Sequence, residues 1–469
     1  MKREITHLTF ALLLCAVVSG CSDQSATKQD SQSTQSNRTE RIAPKSIAGK
    51  TARDGGAEPR SQRTNEAEAK SNLTALTVTD PSHGRSSRPR LQEILASKAA
   101  AAAAASTNVD AAVQGAAPPA KLVERANSGD VAAQRDLGKF FSDQGKFKES
   151  NEWLNQAAAK GDAAAQRMLG IAYTFGQGVD LNMEEAGKWL RLAADQGDAI
   201  AERELAKVYG DKWNAKETND WYMRAALQGD AEAQRTLGLR YTIGQGVESN
   251  REEALKWFTK AAEQGDAISQ RELGKYYGEQ FFRDGKYDNL ALLKESNEWY
   301  LKAALQGDVR AEHMMGVRYV FGQGVERNVE EAGKWFLLAA EQGDAQSQYS
   351  IGRRWDLGEA GEPKDFTEAT KWFQLAADQG LDDAQFNLAR HYASGDGVEQ
   401  DYGEAYKWLL LAQKNGKVQE RGKTLQETMQ EVAAKLTPRQ IAEARAQANA
   451  FVPKPPTPLK MAPPPAPAR

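Results

Sequence analysis

The chain has 469 residues, with 61 Lys and Arg against 64 Asp and Glu, and a net charge of -3. The charge is uneven: residues 22–120 hold 13 basic and 10 acidic groups and residues 451–469 hold only Lys454, Lys460 and Arg469, which leaves 121–450 at -10 once Lys2, Arg3 and Glu4 are counted. An acidic centre speaks against nucleic acid as a partner, and two cysteines, Cys15 and Cys21, exclude a disulfide framework or a Cys-based metal site.

Lys2 and Arg3 precede an apolar stretch, Ile5 to Val18, too short to span a bilayer comfortably. The stretch ends in Val18-Ser19-Gly20-Cys21. A basic start, a short apolar core and small residues before a cut site predict a signal peptide over 1–20. The Cys after the small residues resembles the bacterial lipobox. That resemblance implies that Cys21 becomes the first mature residue and carries the lipid. Ser22 rather than Asp at the next position then implies sorting to the outer membrane, facing the periplasm.

Residues 21–120 read as a tether. Ser, Thr, Gln, Asn, Arg and Glu dominate 22–90, too polar to offset the entropy of ordering. Leu91 to Ala105, ending in seven consecutive alanines, could form a short helix that ends by Pro118-Pro119. As a coil, about 100 residues reach roughly 50–60 Å.

From 121 the chain is periodic. A Trp followed by two Ala and a Gly begins at Trp153, Trp189, Trp221, Trp257, Trp299, Trp335, Trp372 and, degraded, Trp408. The closing glycines, 161, 197, 229, 265, 307, 343, 380 and 416, are 32 to 42 residues apart. Each unit reads as two helices. In the fourth, Ala233, Leu237 and Tyr241 share one face, Ala254, Trp257 and Ala261 share another, and Gly244-Gln245-Gly246 breaks between them. Gly238 would let a neighbouring helix approach. One helix pair has too small a core to stand alone, so the pairs must stack. Eight Trp at one position predict core packing, each removing roughly 150–250 Å² from water.

These elements (Leu-Gly-x-x-Tyr, Gly-x-Gly-Val and Ala-Ala-x-Gln-Gly, in that order) resemble the SEL-one-like repeat, a relative of the tetratricopeptide repeat. The resemblance covers eight units over about 130–416 within a domain at 121–416, and implies an all-α, right-handed α/α superhelical solenoid. A cap is expected over 417–450, where Thr437-Pro438-Arg439-Gln440 has the form of a helix start. The Pro-rich 451–469 predicts a solvated, extended coil.

A second period runs through the first. GQGV occurs at 176–179, 244–247 and 322–325, and the units before these carry KESNEW (148–153), KETNDW (216–221) and KESNEW (294–299). Short and long units therefore alternate. The fifth unit holds about ten extra residues near Glu279 to Leu290, including Phe281, Phe282 and Tyr287. This is either a binding loop or a helix extension packed on the next unit.

The chemistry is sparse. GQGV lacks the Lys-Ser/Thr of a phosphate loop. Ser25-x-x-Lys28 lies in the tether, and no Ser–His–Asp or Cys–His arrangement suggests itself. His313 and His391 replace Arg235 and Arg240 of other units and read as surface variants. Some members of the repeat family act on β-lactams, but those are Cys-rich. A non-enzymatic protein without cofactor or metal is expected.

By the resemblance, the first helix of each unit lines the inner face. That places Arg135, Arg167, Arg203, Arg235 and Arg271 in one column, continued by His313, Tyr349 and Phe386. Lys139, Lys207 and Lys275 stand one turn later, alternating with Ile171, Leu239 and Val317. The column is either a groove for an acidic peptide or anionic polymer, or a set of arginines paired with nearby carboxylates. The expected function is an envelope-anchored scaffold for protein partners in assembly or export, with surface display toward host or environmental ligands as the alternative.

Overall fold

The computed structural model describes residues 117–210, 215–283, 289–359, 363–415 and 424–459. Cys21, the tether and Tyr287 lie outside them. Among the described residues there are nineteen helices and no strand, an all-α solenoid. After a leading helix, Ala120–Asn127, the eight pairs are Val131–Asp143 with Phe147–Ala159, Ala163–Phe175 with Met183–Asp195, Ala199–Tyr209 with Ala215–Leu227, and Ala231–Ile243 with Arg251–Glu263. They continue as Ala267–Arg283 with Leu290–Ala304, Val309–Phe321 with Val329–Glu341, Ala345–Leu357 with Phe366–Asp378, and Asp382–Ser394 with Tyr402–Asn415. Leu425–Ala433 and Pro438–Ala450 close the array, each opened by a capping box, at Thr424 and Thr437. No helix among the described residues is long and apolar enough to cross a membrane.

Within a unit the two helices meet at a notch. A Cβ at Gly238 would stand 2.6 Å from Phe258, and one at Gly170 would stand 2.5 Å from Leu190. The residue after the Trp fills this notch in six units, units three and eight having Ala206 and Ala389 in place of the Gly, and in all eight it is buried: Leu154, Leu190, Tyr222, Phe258, Tyr300, Phe336, Phe373 and Leu409. The Trp itself is core in four units (Trp221, Trp257, Trp335, Trp408) and half-buried in the others. The expectation of eight core tryptophans is corrected accordingly: the residue that is buried in all eight units is its neighbour. At the rim the indoles take cations over their faces, such as Lys302 Nζ 3.9 Å and Arg224 Cζ 4.3 Å from the rings of Trp299 and Trp221.

The alternation of units has a physical cause. The Asn of each short-unit motif reaches into the turn of the long unit that follows: Asn151, Asn219 and Asn297 donate Nδ2–H to the carbonyls of Gln177 (2.7 Å), Gln245 (2.9 Å) and Gln323 (2.7 Å). The second Gly of that turn presses on the same second helix. A Cβ at Gly178 would stand 2.5 Å from the Phe147 carbonyl carbon, and φ is +69°. Only Gly satisfies both conditions. KESNEW and GQGV are thus two halves of one lock that ties a short unit to the long unit after it.

Candidate functional site

The first helices of units one and two, and of units two and three, touch one another, which gathers their side chains on one face, and the eighth first helix touches the closing helix Leu425–Ala433. Down this face each first helix presents residues at spacing four, three per unit.

The first row is the arginine column, and it faces the joints. The first helices of units one to seven each begin at an Asp whose side chain caps them, and the eighth begins at Leu381. In unit two, Asp162 Oδ1 accepts Ala165 N–H at 2.8 Å while Oδ2 accepts Arg135 of unit one at 3.1 Å. The pattern repeats: Arg167–Asp198 at 3.5 Å, Arg203–Asp230 at 2.5 Å, Arg235–Asp266 at 2.6 Å and Arg271–Asp308 at 2.8 Å. Arg203 adds Glu204 and Glu232, and Arg271 adds Glu272. Their side chains are 15–33% exposed. Of the two readings of this column, the geometry is that of arginines paired with carboxylates in a series of joints: the neighbouring cap carboxylate lies within reach of every guanidinium and takes it.

Glutamines brace the same joints from below. Gln234 donates to Ala226 O and accepts from Gln264, and Gln270 does the same with Ala262 O and Gln306. Two units carry Glu here. Glu202 is compensated by Arg224 at 2.8 Å. Glu312, 3% exposed, has Gln342 at 2.8 Å instead, and burial pushes its carboxyl up to about 7, with Asp308, Glu341 and Asp344 adding to the rise.

Neither histidine is a surface variant. His313 is half-buried, with Nδ1 2.9 Å from Ser347 Oγ and 3.4 Å from Asp344. His391, 3% exposed, lies between Thr370 Oγ1 (2.7 Å) and Asp356 Oδ1 (3.2 Å). This trio has the composition of a nucleophile–base–acid set, which the sequence did not suggest. Thr370, however, is itself buried and donates to Asp396 O at 3.1 Å. The trio occupies the position of Asn219 and Arg240, which are hydrogen-bonded to each other in the unit three–four lock, and serves the same purpose. Among the described residues no group of three His, Cys, Asp or Glu side chains is arranged to hold a metal.

Phe281 and Phe282 are not in a loop. The fifth first helix runs on to Arg283, the two rings meet edge-on at 5.0 Å, Phe281 is 9% exposed, and Phe282 lies 6.0 Å from Arg318 of the next unit. The inserted residues up to Arg283 lengthen a helix that packs on its neighbour.

The second and third rows are where this face is open. In the short units Lys139, Lys207 and Lys275 are exposed, and Lys207 reaches Glu232 at 2.6 Å. In the long units Ile171, Leu239 and Val317 are followed one turn later by Phe175, Ile243 and Phe321, which are 64%, 70% and 42% exposed. Leu357 continues this row at 45%. The sequence reading stopped one turn short of these residues, although each directly precedes the GQGV turn. The face therefore alternates apolar and charged bands.

A Sel1 repeat model matches residues 131–162, 163–198, 199–230, 231–266, 267–308, 309–344, 345–381 and 382–417. The chain belongs to the Sel1 repeat family. The first six boundaries fall on the capping Asp of the next first helix and the seventh on Leu381, so one repeat runs from one helix start to the next. A solved Sel1 repeat protein from Oxalobacter formigenes is 28% identical, covering 74% of this chain and 96% of that one, with a TM-score of 0.47. The structure of c5321, a protective antigen of uropathogenic Escherichia coli, is 25% identical over 71% of this chain and 93% of its own, with a TM-score of 0.32. No curated protein matches the chain. A Sel1 array of this kind is a scaffold suited to protein–protein interaction.

Proposed function

We propose that this Sel1 protein is a lipid-anchored scaffold of the bacterial envelope that binds protein partners along its first-helix face. The observation that carries the binding part is the exposed row Phe175, Ile243 and Phe321. Large apolar side chains left open at regular spacing mark an interaction surface, and the intervening lysines supply charge at a fixed register. The arginine column, already engaged, braces this surface instead of recruiting an acidic ligand. Cys21 carries the anchor, and Ser22 directs it to the outer membrane with the array in the periplasm. The 100-residue tether lets the array search beyond the membrane surface for an assembly or export partner.

Phe175→Ser, Ile243→Ser and Phe321→Ser in one chain tests the binding face. Capture from crosslinked cells should fall at least tenfold while the helical circular dichroism stays unchanged. Unchanged capture would remove this face from consideration. Labelled palmitate should enter the wild type and be lost in Cys21→Ser, which should also release the protein from membranes. Equal labelling of both would end the anchoring proposal.

A further inference from the structure

The Pro-rich end does not run into solvent at once. Residues 451–459 return along the array. The Phe451 ring meets Trp408 edge-on at 5.7 Å. Lys454 donates its backbone N–H to Asp378 O at 2.8 Å, and its Nζ reaches Asp378 Oδ2 at 2.8 Å. Pro453 covers Gly380, with Cγ 3.3 Å from where a Cβ would stand. Five residues on, Leu459 donates its N–H to Glu341 O at 2.8 Å, and the Thr457 backbone covers Gly343, 3.0 Å from its Cβ position.

The two seats are the same place in consecutive units. Asp378-Gln379-Gly380 and Glu341-Gln342-Gly343 are each the turn from a second helix to the next first helix, with the Gly at φ +89° and +96°. One segment thus makes the same contact twice at a step of one unit. Proline suits this use. Each seat takes one N–H donor, and Pro455, Pro456 and Pro458 keep the chain between the seats extended and add no donor of their own.

The seat recurs upstream. Gly197, Gly229, Gly265 and Gly307 close equivalent turns at φ +86° to +98°, and among the described residues nothing approaches within 4 Å of their Cβ positions. At the residue corresponding to Asp378, Asp195 and Glu263 are exposed acids, and the intervening Leu227 is 68% exposed. We propose that this edge, over units two to five, binds an extended, proline-rich, lysine-bearing segment of another protein. The chain's own tail shows the binding mode and occupies the seats of units six and seven. The edge uses none of the first-helix residues on which the scaffold proposal rests.

The test uses the full chain and a labelled peptide of sequence VPKPPTPL, residues 452–459, ending in a photoreactive group. Saturable binding is expected, with crosslinks at 195–197 and 263–265. Asp195→Lys with Glu263→Lys should weaken it at least fivefold, as should Lys→Glu in the peptide. Phe175→Ser, Ile243→Ser and Phe321→Ser should leave it unchanged. Absence of saturable binding, or crosslinks confined to 341–343 and 378–380, would overturn the proposal by making the seat private to the tail. Concentration-dependent self-association that vanishes on removing 451–469 would overturn it in another way, by making the occupant a second copy.

Discussion

The joint between units five and six and the two that follow share one geometry and differ in chemistry. In the first, Arg271 holds the cap Asp308 and Gln270 braces it with two amide hydrogen bonds. In the second, His313 stands for the arginine and Glu312 for the glutamine. In the last, both partners of the pair have changed together: Tyr349 replaces the arginine, Leu381 replaces the capping Asp, and both pack on the core of unit eight. The joint is evidently a site at which ionic, titratable and apolar solutions give the same stacking. What differs is the response to pH and salt.

The apolar joint should be the costliest to damage. Tyr349 lies 5.8 Å from the Phe373 ring, and Tyr349→Ala should remove about 3 kcal/mol, with no dependence on salt. Urea unfolding followed by Trp fluorescence reads this. Because each unit contacts only its neighbours, the loss should split unfolding into two steps on either side of the joint. A single unshifted transition would show that the last joint contributes little.

Glu312→Gln should have the next largest effect, with the opposite sign. The folded-state value of about 7 lies above the ordinary 4.5, so the native state binds the proton more tightly than the unfolded chain. The contribution of Glu312 to stability is therefore greatest below pH 4.5 and declines as pH rises through 7. The amide of Gln has no such decline and restores the chemistry of the other joints. The variant should be more stable by about 1–3 kcal/mol at pH 8 and nearly equal to wild type at pH 4. Equal stability at pH 8 would mean that the carboxylate is solvated in the native state. Arg271→Ala follows, at about 1–2 kcal/mol near pH 7, since it leaves the mostly buried Asp308 carboxylate with only its cap. A loss no larger than that of an exposed Lys256→Ala would show the arginine to be a surface ion pair only.

The sequence displayed the repeat and concealed the joints, for physical reasons. Eight helix pairs were legible because the notch Gly, the Trp and the closing Gly recur at fixed places. The arginine column was legible as a face, but not what the face meets. Arg135 and Asp162 are 27 residues apart and Arg271 and Asp308 37 apart, and helical spacing does not say which neighbour a long side chain reaches. The joint change of Arg and Asp to Tyr349 and Leu381 was the available signal. Phe281 and Phe282 were left with two readings because an insertion between two helices can lengthen either helix or the loop, and composition does not choose. The tail misled differently: nothing in proline content distinguishes a solvated coil from one seated on repeated turns.

The smallest effect separates the two roles of the cap aspartate. Burial works to raise the Asp344 carboxyl, but the hydrogen bond and charge of His313, with bonds from Ser347, hold it below the ordinary carboxylate range. Its charge therefore adds stability above the unfolded value near 4, and this is lost as pH falls through the lower folded value. Asn caps a helix about as well as Asp. Asp344→Asn should keep the cap and lose only the charge contribution, about 1 kcal/mol at pH 6 and vanishing in acid once the pH has fallen through the lowered folded value. Asp344→Ala should lose a further ~1 kcal/mol at both pH values, because the cap goes as well. If both variants lose equally at pH 6 and the loss persists in acid, the histidine contributes nothing ionic, and this joint depends on its cap and its packing alone.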